Sequence, residues 1–369
     1  MVDPIALAVP GFFALIGVEL AVARKKGVRV YRLADSITDL SCGVSSQIEA
    51  MFFAAAQLAV YAFVYSRFKV VEIHGWQAWL VAFIGVDFFY YWWHRFSHEV
   101  NVLWAAHVVH HQSEDYNLAV ALRQSITTGW SATPFYLPLA FLGVPPLVFA
   151  VTHALSTLYQ FWIHTQLVGK IRGPVDWILN LPSHHRVHHA VNPQYLDKNY
   201  AATLIVWDRI FGTYIEEEEP CVFGITKPLA SFNPFWAQTH YFVDLAHRTV
   251  RLSGFDKLRV WLASPAWFGR GEEKYAANVH ARPKYDVRAT PRTRRYVFAQ
   301  YILLLASMSA LMFVHDKLTP VVLATSCAAL AGGLIAMGAL LEEKRWGKPL
   351  EVARLAATVV AIILIVRSR

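Results

Sequence analysis

Long apolar runs constrain this chain most. About 20 consecutive apolar residues suffice to cross a bilayer, and a segment placed there must satisfy its own backbone, which for separate runs means helices. Ile5–Val22 is such a run and stops at Ala23-Arg24-Lys25-Lys26. It lacks the basic start and small-residue cleavage site of a signal peptide, so it predicts a retained helix. Met51–Tyr65 is a second candidate and Trp76–Trp93 a third, closing on the aromatic series Phe88-Phe89-Tyr90-Tyr91-Trp92-Trp93 that membrane interfaces collect. Thr133–Ile163 is longer than one crossing needs, and Gly143, Pro145 and Pro146 break it, so it predicts a hairpin of two short helices. Apolar spans return at Val297–Phe313, Pro320–Leu341 and Leu355–Val366.

Composition agrees with a bilayer as solvent. Of 369 residues, 56% are hydrophobic and 16% charged, against about 25% charged in a soluble domain. That excludes a disordered chain and argues against an ordinary cytosolic globule. Three cysteines (Cys42, Cys221, Cys327) exclude a disulfide framework and a Cys-rich zinc site. The net charge of +8 fits a membrane-facing surface better than nucleic acid, because the basic residues are segregated. They gather at Arg24–Arg32, at Lys344, Arg345 and Lys348, and across the polar stretch 165–296, including Arg251, Arg259, Arg270, Arg282, Arg288, Arg292, Arg294 and Arg295. One threading puts all three on the cytoplasmic side and leaves the turns near 67–75 and 315–319 outside. Glu216–Glu219 reads most simply as a solvated loop. The chain divides into an N-terminal transmembrane region (1–75), a catalytic core (76–240), a basic cytoplasmic segment (241–296) and C-terminal transmembrane helices (297–369).

Eleven of the sixteen histidines fall between His94 and His189. His94-Arg-Phe-Ser-His98 is an i, i+4 pair, while His107-Val-Val-His110-His111 and His185-Arg-Val-His188-His189 have i, i+3, i+4 spacing. On a helix such positions share a face, so each block is expected to aim its imidazoles in one direction. His74, His153, His240, His247, His280 and His315 are isolated and read as core histidines. The eight in blocks serve no packing purpose, and gathering them costs entropy and desolvation that a metal centre would offset. A zinc takes three or four protein ligands, so eight donors imply two metals, or one metal and many idle histidines. Imidazole also suits iron, and two irons with open positions suit dioxygen chemistry. Nearby carboxylates are few: Asp87, seven residues before His94 on the same helical face, is placed to orient that ring, and Glu99, Glu114 and Asp115 follow the motifs. His94, His98 and His164 stand where apolar spans end, so the metals would lie at the membrane surface, with substrate entering from lipid. A metal transporter, the rival reading from outside the enzymes, would carry its ligands midway along the spans. Here the spans hold almost no polar groups besides Asp87 and His153.

The order HxxxH, HxxHH, HxxHH on a multi-spanning chain resembles the fatty acid hydroxylase superfamily, which includes the sterol desaturases. Within it, the longer matches are most similar to the alkylglycerol monooxygenases. They comprise Asp87–Glu99, His107–Leu118 with Arg123-Gln124-Ser125, Phe161–Thr165, Pro182–His189, Asp197–Tyr200 and Trp207–Thr213, within roughly residues 80–240. The resemblance implies two irons held by His94, His98, His107, His110, His111, His185, His188 and His189. His164, in the matching Phe-Trp-Ile-His-Thr segment, is a ninth ligand on the same grounds. His184, about 100° round the helix from His185, is expected behind the ligands. The resemblance further implies oxidation of a lipid C–H bond by dioxygen, tetrahydrobiopterin as electron donor, and cleavage of glyceryl ethers through the carbon beside the ether oxygen. Glu99 matches a glutamate of that family and is expected to accept pterin N–H groups rather than to ligate metal. The alternative within the class is a sterol or fatty-acyl hydroxylase or desaturase fed by a redox protein. The sequence thus predicts an all-α, polytopic transmembrane bundle with a cytoplasm-facing, His-rich diiron cap.

Overall fold

The computed structural model of the chain describes residues 4–267, 283–287 and 289–367. Of the positions named above, Arg270, His280, Arg282 and Arg288 lie outside the described residues. The described elements are helices in this order: α1 (Pro4–Lys25), α2 (Leu33–Phe68), α3 (Gly75–Glu99), α4 (Asn101–His111), α5 (Leu118–Ala121), α6 (Thr128–Leu142), α7 (Pro146–Trp162), α8 (Pro174–Ile178), α9 (Pro182–His188), α10 (Val206–Ile210), α11 (Pro234–Arg251), α12 (Asp256–Leu262), α13 (Pro291–Val314), α14 (Pro320–Leu341) and α15 (Gly347–Arg367). Among the described residues β pairing is confined to two isolated bridges, Leu179 with Leu204 and Ala190 with Phe223.

Five helices, α1, α2, α13, α14 and α15, are long and apolar enough to cross a membrane. The protein is an integral, multi-pass membrane protein. Phe52, Phe53, Phe63, Trp79, Phe83, Ile362 and Ile363 are exposed on its helices, as side chains facing lipid are. The predicted hairpin is present as α6 and α7. Gly143 ends α6 with φ +93, and a Cβ there would lie 1.8 Å from the Val71 carbonyl oxygen, so only glycine fits the turn. The second span is longer than Met51–Tyr65. α2 begins at Leu33, and its first turns carry Asp35, Thr38, Asp39 and Ser41, all buried. Those polar residues face protein rather than lipid, which is why an apolar window misses them.

Two of the cores hold the long helices together. One joins α2 to the C-terminal helices through Ile37, Val44, Tyr301, Leu304, Leu334 and Met337. The other joins α2, α3 and α6 through Tyr61, Val86, Trp93, Tyr136 and Leu139. The segments between α3 and α13 that carry the histidines form a cap at one end. Lys26 donates to the Leu167 carbonyl (3.1 Å), Arg32 pairs with Asp115 (2.9 Å), and Ser231 donates to Glu342 (3.0 Å). The end of α1, the start of α2 and the end of α14 therefore share the cap's side, as the basic-residue pattern anticipates. The first apolar run also carries a buried carboxylate: Glu19 accepts from the Leu118 N–H (2.9 Å) and the Thr165 hydroxyl (2.5 Å), tying α1 to the cap.

Candidate metal centre

α3 delivers His94 and His98 on its last turns, α4 delivers His107, His110 and His111, the end of α7 delivers His164, and α9 with its C-cap delivers His185, His188 and His189. These nine rings form two groups, each with ligand nitrogens within 4.8 Å of one another: His94, His98, His107, His111 and His188 in the first, His110, His164, His185 and His189 in the second. The expectation that each block points one way needs correction for the two HxxHH blocks. His107 and His111 go to the first group and His110 to the second, while His188 goes to the first and His185 and His189 to the second. Neighbouring residues on a helix diverge by about 100°, so an HH pair straddles two centres while the i, i+4 pair serves one.

The Nε2 atoms converge. His94 and His111 approach His107 at 2.9 and 3.1 Å; His110 and His185 approach His164 at 3.2 and 2.9 Å; His189 approaches His185 at 3.2 Å. Around a metal with bonds of about 2.1 Å, ligands at right angles stand about 3.0 Å apart. The opposite ring nitrogens meet backbone carbonyls: His94 Nδ1 with Tyr200 (2.6 Å), His110 Nδ1 with Arg123 (3.0 Å), His164 Nδ1 with Gln160 (2.7 Å) and His188 Nδ1 with Lys198 (3.0 Å). A carbonyl can only accept, so each of these rings carries its proton on Nδ1 and a lone pair on Nε2. His110 and His164 therefore face each other with two lone pairs 3.2 Å apart, which repel unless a cation lies between them. The buried Nε2 atoms of His98 and His188 meet no hydrogen-bond partner among the described residues. Burial holds the rings neutral, as ligation requires, pushing His110 down to about 4 and His188 to about 3. The donor set fits two metal ions.

Asp87 does not touch His94, contrary to expectation. Its carboxylate accepts from the Thr203 and Leu204 N–H groups (2.8 and 3.0 Å) and the Trp207 indole (2.9 Å). Asp208 accepts from the Tyr200 and Ala201 N–H groups (both 2.8 Å), and burial pushes its carboxyl up to about 6. Together these acids fix the segment whose Tyr200 carbonyl receives His94. Sequence reasoning missed Asp208, and its one signal was its place within Trp207–Thr213. Behind His110, buried Arg123 pairs with Asp39 (3.0 Å) and donates to the Val109 carbonyl (2.6 Å) and Gln112 (2.5 Å). Nothing in the spacing marked Asp39. His184 stays outside both groups, as expected, bonded to Asp176 (2.8 Å). Glu99 also lies outside both groups: it is half-buried and accepts from Arg95 (2.9 Å). Glu216–Glu219 is more than a solvated loop, since Glu217 takes both arms of Arg186 (2.9 and 2.7 Å) and so holds α9 in place.

A cavity of about 390 Å³ opens beside the histidines. His107, His110 and His164 form one part of its wall, and Phe12, Leu40, Trp93, Phe161 and Met308 belong to the rest. A lipid chain reaching the histidines from the bilayer would lie among apolar side chains.

Residues 79–213 match the family model named fatty acid hydroxylase. Over 95% of its length the chain is 37% identical to an alkylglycerol monooxygenase of Xenopus tropicalis, covering 80% of that protein. It is 39% identical to that of Danio rerio over 94% of this chain and 79% of the relative. It is 30% identical to an ornithine lipid hydroxylase of Rhizobium tropici, over 37% of this chain and 42% of that one. No solved structure matches it.

Proposed function

Because this chain belongs to the alkylglycerol monooxygenase family, we propose that it is a diiron membrane enzyme that cleaves glyceryl ether lipids with dioxygen and tetrahydrobiopterin. The observation that carries the reading is the pair of converging, neutral imidazole sets beside an apolar cavity. His94, His98, His107, His111 and His188 would hold one iron, and His110, His164, His185 and His189 the other. Bound there, the irons would supply the activation of dioxygen.

The chain's own part is placement and exclusion of water. The Tyr200, Arg123, Gln160 and Lys198 carbonyls fix four rings in one tautomer and orientation. Asp87 acts at one remove, as a positioning residue for the segment that bears Tyr200. The apolar wall keeps the lipid chain dry while the methylene beside the ether oxygen meets the histidine end. Hydroxylation there takes one oxygen atom from dioxygen, and the other leaves as water with two electrons from the pterin. The resulting hemiacetal collapses to an aldehyde and free glycerol. Glu99, half-buried one residue beyond His98, would accept the pterin's N–H groups.

Purified protein incubated with dioxygen and 1-O-hexadecylglycerol should release hexadecanal only when tetrahydrobiopterin is added. Glu99→Ala should keep its iron and lose that pterin-driven reaction. Turnover that ignores pterin and follows a redox protein would overturn the assignment of the donor. The proposed cytoplasmic side of the cap is supported by the basic runs Arg24–Arg32 and Lys344–Lys348, which share it. A cysteine replacing exposed Glu218 should then be labelled only from the cytoplasm, and labelling from outside would reverse the threading.

A further inference from the structure

We infer that Gln124 and Gln160 form a head-group subsite that takes the two hydroxyls of a 1-O-alkylglycerol, a reading that rests on the proposed reaction. Both side chains line the cavity together with His107, His110 and His164. Each has a backbone locked to the metal centre: the Gln160 carbonyl receives His164 Nδ1 (2.7 Å), and Gln124 follows Arg123, whose carbonyl receives His110 Nδ1 (3.0 Å). The Gln124 carbonyl is held in turn by the Gln238 amide (3.0 Å).

Each carboxamide turns its nitrogen back onto its own chain, Gln124 to the Ala121 carbonyl (3.0 Å) and Gln160 to the Ser156 carbonyl (3.2 Å). Their oxygens accept no hydrogen bond from the described residues, so both are free acceptors on the wall. Glu49 and Gln57, farther along the same wall, are engaged with each other (3.4 Å), and Glu49 also accepts from Trp130 (2.8 Å).

A glycerol head offers two O–H donors, and a hydroxyl brought into a largely apolar cavity needs an acceptor there. The geometry of the reaction adds a constraint. The carbon to be oxidised is the first of the alkyl chain, bonded to the same ether oxygen as the head. Head and reacting carbon must therefore lie at the same end of the cavity, which is the histidine end. Two acceptors fixed to that end hold the head there and leave the chain to the apolar part of the wall.

The test is binding without turnover. Iron-loaded full-length protein in detergent, with no reductant, is titrated with radiolabelled 1-O-hexadecylglycerol and with hexadecyl methyl ether, which has the same ether methylene and no hydroxyls. Wild type should bind the glycerol ether at least tenfold more tightly. Gln124→Leu and Gln160→Met should each weaken that lipid about tenfold and leave the methyl ether unchanged, with iron content retained. Equal affinity of wild type for the two lipids, which needs no variant to fold, would overturn the subsite, as would variants that keep the preference. If the preference behaves as stated but wild type converts neither lipid when pterin and dioxygen are supplied, the subsite stands and the proposed reaction falls.

Discussion

Two of the arginines buried against carboxylates in this protein, Arg123 and Arg354, are used differently. Arg123 pairs with Asp39 of α2, and its remaining donors go to Val109 and Gln112 at the end of α4. Its carbonyl holds His110. Arg354, on α15, pairs with Glu351 one turn earlier and reaches Gln300 of α13 (3.0 Å), while Tyr296 donates to Glu351 (2.5 Å). None of those partners touches a histidine of the centre. The first pair clamps three chain segments around a metal ligand, and the second fastens membrane helices. A buried ion pair is by itself weak evidence of stabilisation, because desolvation offsets the attraction. What distinguishes the two is what each holds in place.

Replacing Arg123 by Met should have the largest effect. It strands Asp39 and frees the segment whose carbonyl orients His110. Loss of such an outer partner weakens metal binding roughly 10- to 100-fold, so iron at the second group and activity should fall together. Iron titration of the purified variant checks this. Full iron occupancy would place Arg123 with Arg354, as a structural fastener only.

Acid should separate the two regions next. An exposed histidine in the unfolded chain takes up a proton near pH 6.5, whereas burial holds His110 to about 4 and His188 to about 3. Between those values the unfolded chain binds more protons, so stability of the metal-free protein falls as pH drops and is fully present above about 6.5. From pH 7 to pH 5 the loss is about 2 kcal/mol for each such ring. Hydrogen exchange of the metal-free protein in detergent should show α4 and α9 opening at pH 5 while α13–α15 stay protected. Uniform protection would mean the rings are less buried than described.

How far this was legible in the sequence follows from which groups do the holding. Apolar runs and histidine spacing are properties of side chains, so the long apolar helices, the α6–α7 hairpin and the eight block histidines could be read directly. His164 came only from resemblance, since a lone histidine carries no spacing. The orienting partners could not be read, because those found are backbone carbonyls of Tyr200, Arg123, Gln160 and Lys198, and a carbonyl leaves no mark in a sequence. That is also why Asp87 looked like the partner of His94: it stands seven residues earlier on the same helical face, yet its oxygens are committed to the 203–207 segment. The polar start of α2 was invisible for a related reason, because Asp35 and Asp39 are buried by the cap and not by their own helix.

The smallest effects on iron and activity belong to the C-terminal pair. Arg354→Leu alone leaves Glu351 buried with Tyr296 as its remaining partner. Breaking a buried pair from one side costs about 3–5 kcal/mol, and the retained tyrosine bond should keep the loss toward the lower figure. The melting temperature should fall while iron content stays at the wild-type level. Replacing both residues, Glu351→Leu with Arg354→Leu, removes the stranded charge as well. Buried pairs exchanged for apolar side chains of similar volume are often neutral, and Arg354 lies against Gly332 and Gly333 of α14, where a leucine can pack. The double variant should therefore melt closer to wild type than Arg354→Leu and turn over its lipid at the wild-type rate. If it loses iron or activity while remaining folded, the C-terminal helices reach the centre after all, and the distinction between the two arginines fails.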